Sequence, residues 1–223
     1  MGKSTKKVAE AAREIANKTG ETDQRVTHAM AAVRETRPAR FVALLMECAD
    51  QPELITASLG TIGAGVVSRR PDLVRGGARM LASHLVATGM KMLVKQQVDR
   101  TRPKKALAEG KHRFEPGHSH DHELNSFPSG HTAGAVAVAR AASHEIDGAA
   151  VPATIATGAV AAAQMPTGSH YLTDVIAGGV IGWAAEAVVG AVFDRFEAKQ
   201  DETAEKGKRT GTGRKGARQA DAR

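Results

Sequence analysis

Three stretches of the chain carry residues whose types and spacing could bind and transfer a phosphate group. The first reads K-Q-Q-V-D-R-T-R-P over Lys95–Pro103, the second N-S-F-P-S-G-H-T over Asn125–Thr132, and the third H-Y-L-T-D over His170–Asp174. Paired cations, a helix start and a histidine beside a carboxylate are groups that hold or attack a tetrahedral anion. We expect the rest of the chain to be the scaffold that brings these stretches together.

The first stretch offers two cations, Lys95 and Arg102, which are seven residues apart. If the preceding helix continues to Pro103, seven residues make nearly two turns and place both side chains on one face. Arg100 falls off that face. Lys supplies a point charge and Arg a fork of donors, so the pair could hold one phosphate. A basic run beside a membrane is the alternative interpretation.

The second stretch predicts a helix N-terminus that faces an anion. Ser129 and Gly130 offer backbone N–H groups with little side-chain cover, and the helix dipole favours negative charge there. His131 follows directly and could donate a proton to a leaving oxygen. The alternative is an ordinary loop-to-helix junction with an incidental histidine.

The third stretch places His170 and Asp174 four residues apart, on one face of a helix. A carboxylate in that position can hold the imidazole in one tautomer and leave the other ring nitrogen free to attack. Taken alone, the two residues could equally form an ion pair at a helix start.

Composition narrows the class of protein. The 223 residues suit one domain with tails, and 31 Lys and Arg against 24 Asp and Glu give a net charge of +7. Such a charge suits nucleic acid, anionic lipid or phosphorylated substrates, but seven aromatic residues are too few for nucleic-acid stacking.

Cys48 is the only cysteine, which excludes an intrachain disulfide and a cysteine zinc site. The first forty residues lack the apolar core of a signal peptide, so none is expected.

Hydrophobic patterning predicts an all-α helical bundle. Its five helices are expected at 54–67, 77–102, 129–143, 149–165 and 170–193, with a long polar loop at 104–126. Runs rich in Ala, Gly and Val let helix backbones approach closely, as in membrane bundles, so we expect the bundle to be membrane-embedded. The predicted divisions are a helical surface or interfacial extension broken at Gly20 (1–40), the bundle (41–196) and a disordered basic tail (197–223).

The order K-x6-R-P, P-S-G-H and H-x3-D resembles the type 2 phosphatidic acid phosphatase and vanadium haloperoxidase superfamily over roughly 50–193. This resemblance implies an all-α bundle that hydrolyses phosphate esters with no metal or other cofactor. It further implies that His170 is the nucleophile of a phosphohistidine intermediate, that Asp174 orients it, and that His131 protonates the leaving group. The residues implied to hold the phosphoryl oxygens are Lys95, Arg102, Ser129, Gly130 and, in place of an arginine, Gln164.

That replacement is the one departure from the family pattern. The third motif of the family usually opens with Ser-Arg, where this chain has Ala163 and Gln164. Glutamine can donate hydrogen bonds but brings no charge. Arg100 or Lys104 is the hypothesised compensating cation, and under this hypothesis an arginine at position 164 should raise activity. The departure also keeps open a weakened member that binds phosphorylated lipid without efficient turnover.

The polar loop carries a cluster of histidines that could bind a metal. They are His112, His118, His120 and His122, beside Asp121 and Glu123. Because the family requires no metal, a solvated polar loop is the favoured interpretation.

The motif order also predicts the substrate and location. All three motifs must face one end of the bundle, which leaves the basic Arg69–Arg79 turn and the basic tail at the other. The positive-inside tendency then points to a multi-pass protein of the bacterial inner membrane with an outward-facing site. A phosphorylated lipid or isoprenyl diphosphate is the expected substrate, and a soluble phosphomonoester is the alternative. A vanadate-dependent haloperoxidase is less favoured because the chain lacks large extra segments.

Overall fold

The computed structural model describes residues 19–31, 33, 36, 51–119 and 121–220, and beyond residue 200 it describes side chains only at Glu202 and Thr203. The helices are α1 (19–31), α2 (Gln51–Ser68), α3 (Pro71–Lys95), α4 (Pro103–Glu109), α5 (Gly130–Glu145), α6 (Ala150–Ala163) and α7 (Leu172–Ala220). Two three-residue strands, β1 (Val98–Arg100) and β2 (Phe114–Pro116), pair antiparallel, and a 3-10 turn spans His122–Leu124. The predicted all-α bundle is confirmed.

Small residues form the centre of the bundle, where α5 packs against α7. Ala133 and Ala137 are buried on α5. On α7, a Cβ added at Gly178 would lie 2.4 Å from the Ser129 carbonyl oxygen, and one at Gly182 would lie 2.3 Å from that of Ala133. The two backbones therefore touch, and only glycine fits at these two positions. Close packing by small residues was the sequence-based expectation.

Polar groups lie inside this bundle and large apolar groups lie outside. Arg79 and Glu186 are buried, whereas Ile155, Val180 and Trp183 are more than half exposed. Charged groups are thus buried beside an apolar core of mainly small residues, and the exposed side chains give the helices an apolar outer surface. Among the described helices, α7 alone contains a stretch, Leu172–Gln200, long and apolar enough to cross a membrane.

Consecutive helices of the bundle run in alternating directions between its two ends. The end of α3 and the starts of α5 and α7 lie together, so the three motifs share one end as expected. At the other end, Arg75 at the start of α3 pairs with Glu145 on α5 and with Glu197 on α7. The basic turn and the beginning of the tail therefore meet far from the motifs.

The predicted helix 77–102 is wrong at its end, because α3 stops at Lys95. Arg102 precedes a proline, which disfavours helical backbone, and it is extended with φ −64° and ψ 145°. The intervening residues form β1, and the Thr101 N–H donates to the Arg113 carbonyl (3.1 Å). Lys95 and Arg102 therefore do not share a helix face.

Two further boundaries differ from the sequence-based expectation, and a third stays a prediction. Gly20 is the second residue of α1; residues 1–18, which would show whether it separates two helices, lie outside the described residues, as do residues 41–50. The loop 104–126 contains α4, β2 and the 3-10 turn. The tail expected to be disordered continues α7 as far as Ala220. Lengthening an existing helix requires no new nucleus, and Ala, Glu, Lys and Arg are good helix formers.

Candidate active site

A cavity of about 280 Å³ lies at the end of the bundle where the three motifs meet. Five residues singled out from the sequence line it, namely Lys95, Arg102, Gly130, His131 and His170. The tertiary structure thus brings together two cations, a helix N-terminus and two histidines. This combination suits an anionic ligand.

His170 precedes α7 and is buried, with its Nδ1 atom 2.7 Å from the backbone oxygen of Ser126. A carbonyl oxygen can only accept, so Nδ1 carries the proton and Nε2 of the neutral ring keeps its lone pair. Burial lowers the pKa of His170, and the neighbouring Asp174 opposes that shift. The ring is therefore neutral near pH 7 and presents a nucleophilic nitrogen at the cavity.

Asp174 lies fully buried in the first turn of α7, 3.7 Å from His170 Nδ1. Its Oδ2 atom accepts hydrogen bonds from the Ser126 hydroxyl (2.5 Å) and the Tyr171 N–H (2.9 Å). The predicted direct hydrogen bond to the imidazole is thus replaced by the Ser126 carbonyl, because His170 lies before the helix and does not share its face. Asp174 acts on the ring through its charge and through Ser126.

His131 occupies the first turn of α5, across the cavity from His170. Their ring centroids are 6.3 Å apart, and both rings line the cavity. A phosphoryl group between them would meet a nucleophile on one side and a proton donor on the other.

Lys95 is the last residue of α3, and its ammonium donates to the Asn125 carbonyl (2.9 Å). Burial, together with the charges of Arg102 and Lys91 and against the opposing charge of Asp174, lowers its pKa to about 8. A bound anion would restore the charged form, so ligand binding and protonation of this lysine are coupled.

Arg102 lies at the N-terminus of α4, and its guanidinium donates to main-chain oxygens. Its Nε donates to the His122 carbonyl (3.0 Å) and its Nη1 to the Ser169 carbonyl (3.3 Å). Burial lowers its pKa. These neutral partners orient the guanidinium without cancelling its charge.

Lys91 lines the same cavity and was missed by the sequence-based analysis. It is four residues before Lys95, one helical turn, and that spacing was the available signal. A Cβ added at Gly130 would lie 2.9 Å from the Lys91 Nζ atom. The glycine therefore leaves room for an ammonium beside the N-terminus of α5.

Two residues proposed as phosphate ligands are not placed in the cavity. Ser129 is buried and caps α5, where its hydroxyl accepts from the Thr132 N–H (3.4 Å) and its own N–H donates to the Asp174 carbonyl (3.0 Å). Gln164 is fully buried, and its Nε2 donates to the Val160 carbonyl (3.2 Å). Both side chains bond to neighbouring helix residues, and their role as phosphate ligands stays a prediction.

The two compensating cations hypothesised from the sequence are also elsewhere. Arg100 is buried between the carboxylates of Asp174 and Asp23 (2.6 Å to the latter). Lys104 is exposed and does not line the cavity. The third cation at the cavity is Lys91.

The histidines of the polar loop lie against different groups. The His112 ring packs edge-on against Tyr171 (5.2 Å between centroids), and His122 lies 3.3 Å from Arg102 Nη2. His118 contacts the Gln96 carbonyl. Within the described part of the chain, which omits His120, no three His, Cys, Asp or Glu side chains are grouped to hold a metal ion.

A family model described as the PAP2 superfamily matches residues 76–197, more than half of the chain. The chain belongs to the PAP2 superfamily. The family resemblance noted from the three motifs is confirmed, and this PAP2 protein is a phosphatase.

Two solved structures share the fold of this PAP2 phosphatase. One is Aquifex aeolicus LpxE, with a TM-score of 0.55 and 17% identity, covering 74% of this chain and 92% of that one. The other is a transmembrane PAP2-type phosphatidylglycerolphosphate phosphatase from Bacillus subtilis, with a TM-score of 0.56 and 17% identity, covering 80% of this chain and 88% of that one. A comparison with curated protein sequences finds no match.

Proposed function

We propose that this protein hydrolyses a phosphate monoester or diphosphate without a metal, through a phosphohistidine on His170. The observation that carries the proposal is the Nδ1 contact to the Ser126 carbonyl, which leaves Nε2 as the nucleophile. Nε2 attacks phosphorus as the bond to the leaving oxygen breaks, and His131 gives that oxygen its proton. His131 then takes a proton from water, which attacks the phosphohistidine and releases inorganic phosphate.

The charges around the cavity suit this reaction. Lys91, Lys95 and Arg102 surround the space beside the Gly130 N–H, where the equatorial oxygens of the transferring group would lie. Positioning and charge stabilisation supply most of the catalysis in phosphoryl transfer. Lys91 also supplies a cation at the cavity, whereas the family pattern has an arginine at the position of Gln164. This additional cation favours an active enzyme over a weakened family member.

The function is tested with purified protein treated with a metal chelator. Phosphatidic acid, an isoprenyl diphosphate and a soluble phosphomonoester are presented in mixed micelles, and release of inorganic phosphate is measured. We expect chelator-resistant release, fastest on the lipid substrates. Binding to phosphatidic acid vesicles without any release would support the weakened member, and release that requires added metal would contradict the proposal.

A second prediction concerns the proton that the leaving group requires. Replacing His131 by alanine should lower kcat about a hundredfold for an alkyl phosphate, because an alkoxide leaves poorly without a proton. p-Nitrophenyl phosphate leaves as a stable phenolate, so its kcat should fall less than about tenfold. Equal losses on both substrates would show that His131 does not protonate the leaving group.

The lowered pKa of Lys95 predicts how binding responds to pH. Its ammonium is charged below about pH 8 and becomes neutral as the pH rises through that value, so one phosphate-binding charge is lost. The KM for a phosphomonoester should therefore rise several-fold between pH 7 and 9. A Lys95→Arg variant keeps its charge and should show a flatter profile, whereas an identical rise in both proteins would exclude Lys95 as the cause.

We further propose that the substrate is a phosphorylated lipid or isoprenyl diphosphate, and that the protein is a multi-pass protein of the bacterial inner membrane with the cavity outward. The exposed apolar side chains of α6 and α7 and the polar bundle interior support this. The basic turn with Arg69 and Arg70 lies at the end away from the cavity, as the positive-inside tendency requires. Reporter fusions at the turn Arg69–Arg70 and at Gly110 should report opposite sides of the membrane.

A further inference from the structure

Helix α1 places a buried carboxylate behind the candidate active site. Asp23 is fully buried, and its Oδ2 atom lies 2.6 Å from Arg100 Nη2. Its Oδ1 atom accepts from the Thr173 N–H (3.2 Å), and its Oδ2 accepts from the Thr173 hydroxyl. α1 lies outside the segment that the family model matches, so family membership assigns this helix no role.

Arg100 joins Asp23 to the residue that faces His170. Its Nη1 donates to Asp174 Oδ1 and its Nη2 to Asp23 Oδ2. The guanidinium also lies over the Tyr171 ring at 4.2 Å, which fixes its plane. One buried cation is thus shared between two buried carboxylates, one from α1 and one from α7.

This sharing matters because of the charge that develops during phosphoryl transfer. When Nε2 of His170 bonds to phosphorus, the imidazole gains positive charge, and Asp174 at 3.7 Å stabilises it. If Arg100 were paired with Asp174 alone, the two charges would form a neutral pair with little field at the ring. Adding Asp23 leaves the trio with a net charge of −1, and that charge favours the cationic ring.

We propose that Asp23 is a positioning residue for the reaction, which shares Arg100 with Asp174 and so preserves the negative field that Asp174 exerts on His170. On this basis α1 contributes to catalysis through the carboxylate of Asp23. The inference rests on the proposed function, in which His170 is the nucleophile.

The test compares Asp23→Asn, which removes the charge at nearly constant shape, with Glu21→Gln on the same helix. Glu21 is exposed and pairs only loosely with Arg25 (3.8 Å). We expect Asp23→Asn to lower kcat about tenfold and to change KM less than about twofold, because the cavity cations are untouched. Glu21→Gln should leave both constants unchanged. Unchanged kcat in Asp23→Asn would overturn the inference while leaving the proposed function intact.

A second readout separates the charge effect from simple docking of α1 and needs no turnover. The ring of His170 is titrated by 15N NMR. The charged and titratable groups around it are Asp174, Arg102, Lys95, Lys91, His131 and His84, with Arg100 and Asp23 behind Asp174. In Asp23→Asn the His170 pKa should fall by about half a unit or more, because one negative charge is lost. Thr173→Val removes the hydroxyl that contacts Asp23 and accepts from Arg100 Nη1 (2.8 Å), but it removes no charge, so its titration should match wild type.

The outcomes decide each proposal separately. Equal shifts in Asp23→Asn and Thr173→Val, or no shift in either, would show that Asp23 only docks α1. If wild-type protein releases no phosphate, the proposed function fails, and the titration still decides whether Asp23 controls the field at His170.

Discussion

Replacing His170 by alanine is expected to lower phosphate release at least about a thousandfold and to leave the bundle folded. The variant removes the nitrogen that we propose forms the phosphohistidine, and losing a covalent nucleophile costs more than losing one phosphate ligand. Release of inorganic phosphate from phosphatidic acid measures the loss. Brief incubation with a 32P-labelled substrate should label wild-type protein with an acid-labile phosphate and leave the variant unlabelled.

The matched control is His118→Ala, which removes an exposed histidine that does not line the cavity. It should retain activity within about twofold, because surface changes away from the site are usually small in effect. A His170→Ala protein that keeps more than a tenth of wild-type activity would rule out the phosphohistidine mechanism. Circular dichroism of both variants verifies that the helices are intact.

The second large effect is expected at the opposite end of the bundle, with Arg79→Met. Arg79 is buried, and its Nη1 and Nη2 atoms pair with Glu145 (2.7 Å) and Glu186 (2.5 Å). Among the described residues, Glu186 would keep Arg140 (3.0 Å) as its close partner, with His144 at 3.9 Å. Breaking a buried ion pair by removing one partner costs about 3–5 kcal/mol, because the remaining charge stays buried.

Thermal unfolding in detergent measures this loss. For a chain of this size, about 3 kcal/mol corresponds to a fall in Tm of roughly 6–12 °C. Arg113→Met is the control, since Arg113 and its partner Glu115 are both about half exposed and such pairs contribute about 0–1 kcal/mol. Equal Tm values for Arg79→Met and wild type would show that the buried network does not stabilise the bundle. Activity below the transition should be near wild type in both variants.

The local chemistry of the site was accessible from the sequence. A helix start at Gly130, a histidine directly after it and the pair His170 and Asp174 are short-range patterns whose meaning depends on neighbouring residues alone. The small-residue helices could be predicted for the same reason, since helical periodicity is a local property. The family motif added the order of the stretches and hence their common end of the bundle.

Sequence reasoning failed where a contact depended on residues far along the chain. The helix was extended past Lys95 because the antiparallel pairing of β1 with β2 cannot be seen locally. Lys91 was overlooked although its spacing from Lys95 was visible, because a lysine inside an apolar helix gives no sign of which cavity it faces.

By itself, then, the sequence determined which groups are available for phosphoryl transfer and that helices carry them, because residue types and helical spacing are local properties of the sequence. Only the tertiary structure decided that a main-chain oxygen, that of Ser126, holds the His170 ring. It also decided that Arg100 lies between Asp174 and Asp23, which are 151 positions apart in the numbering. Such partners come together only in the folded bundle. A buried charge is costly unless it is paired, and sequence spacing does not show which residue will pair with it.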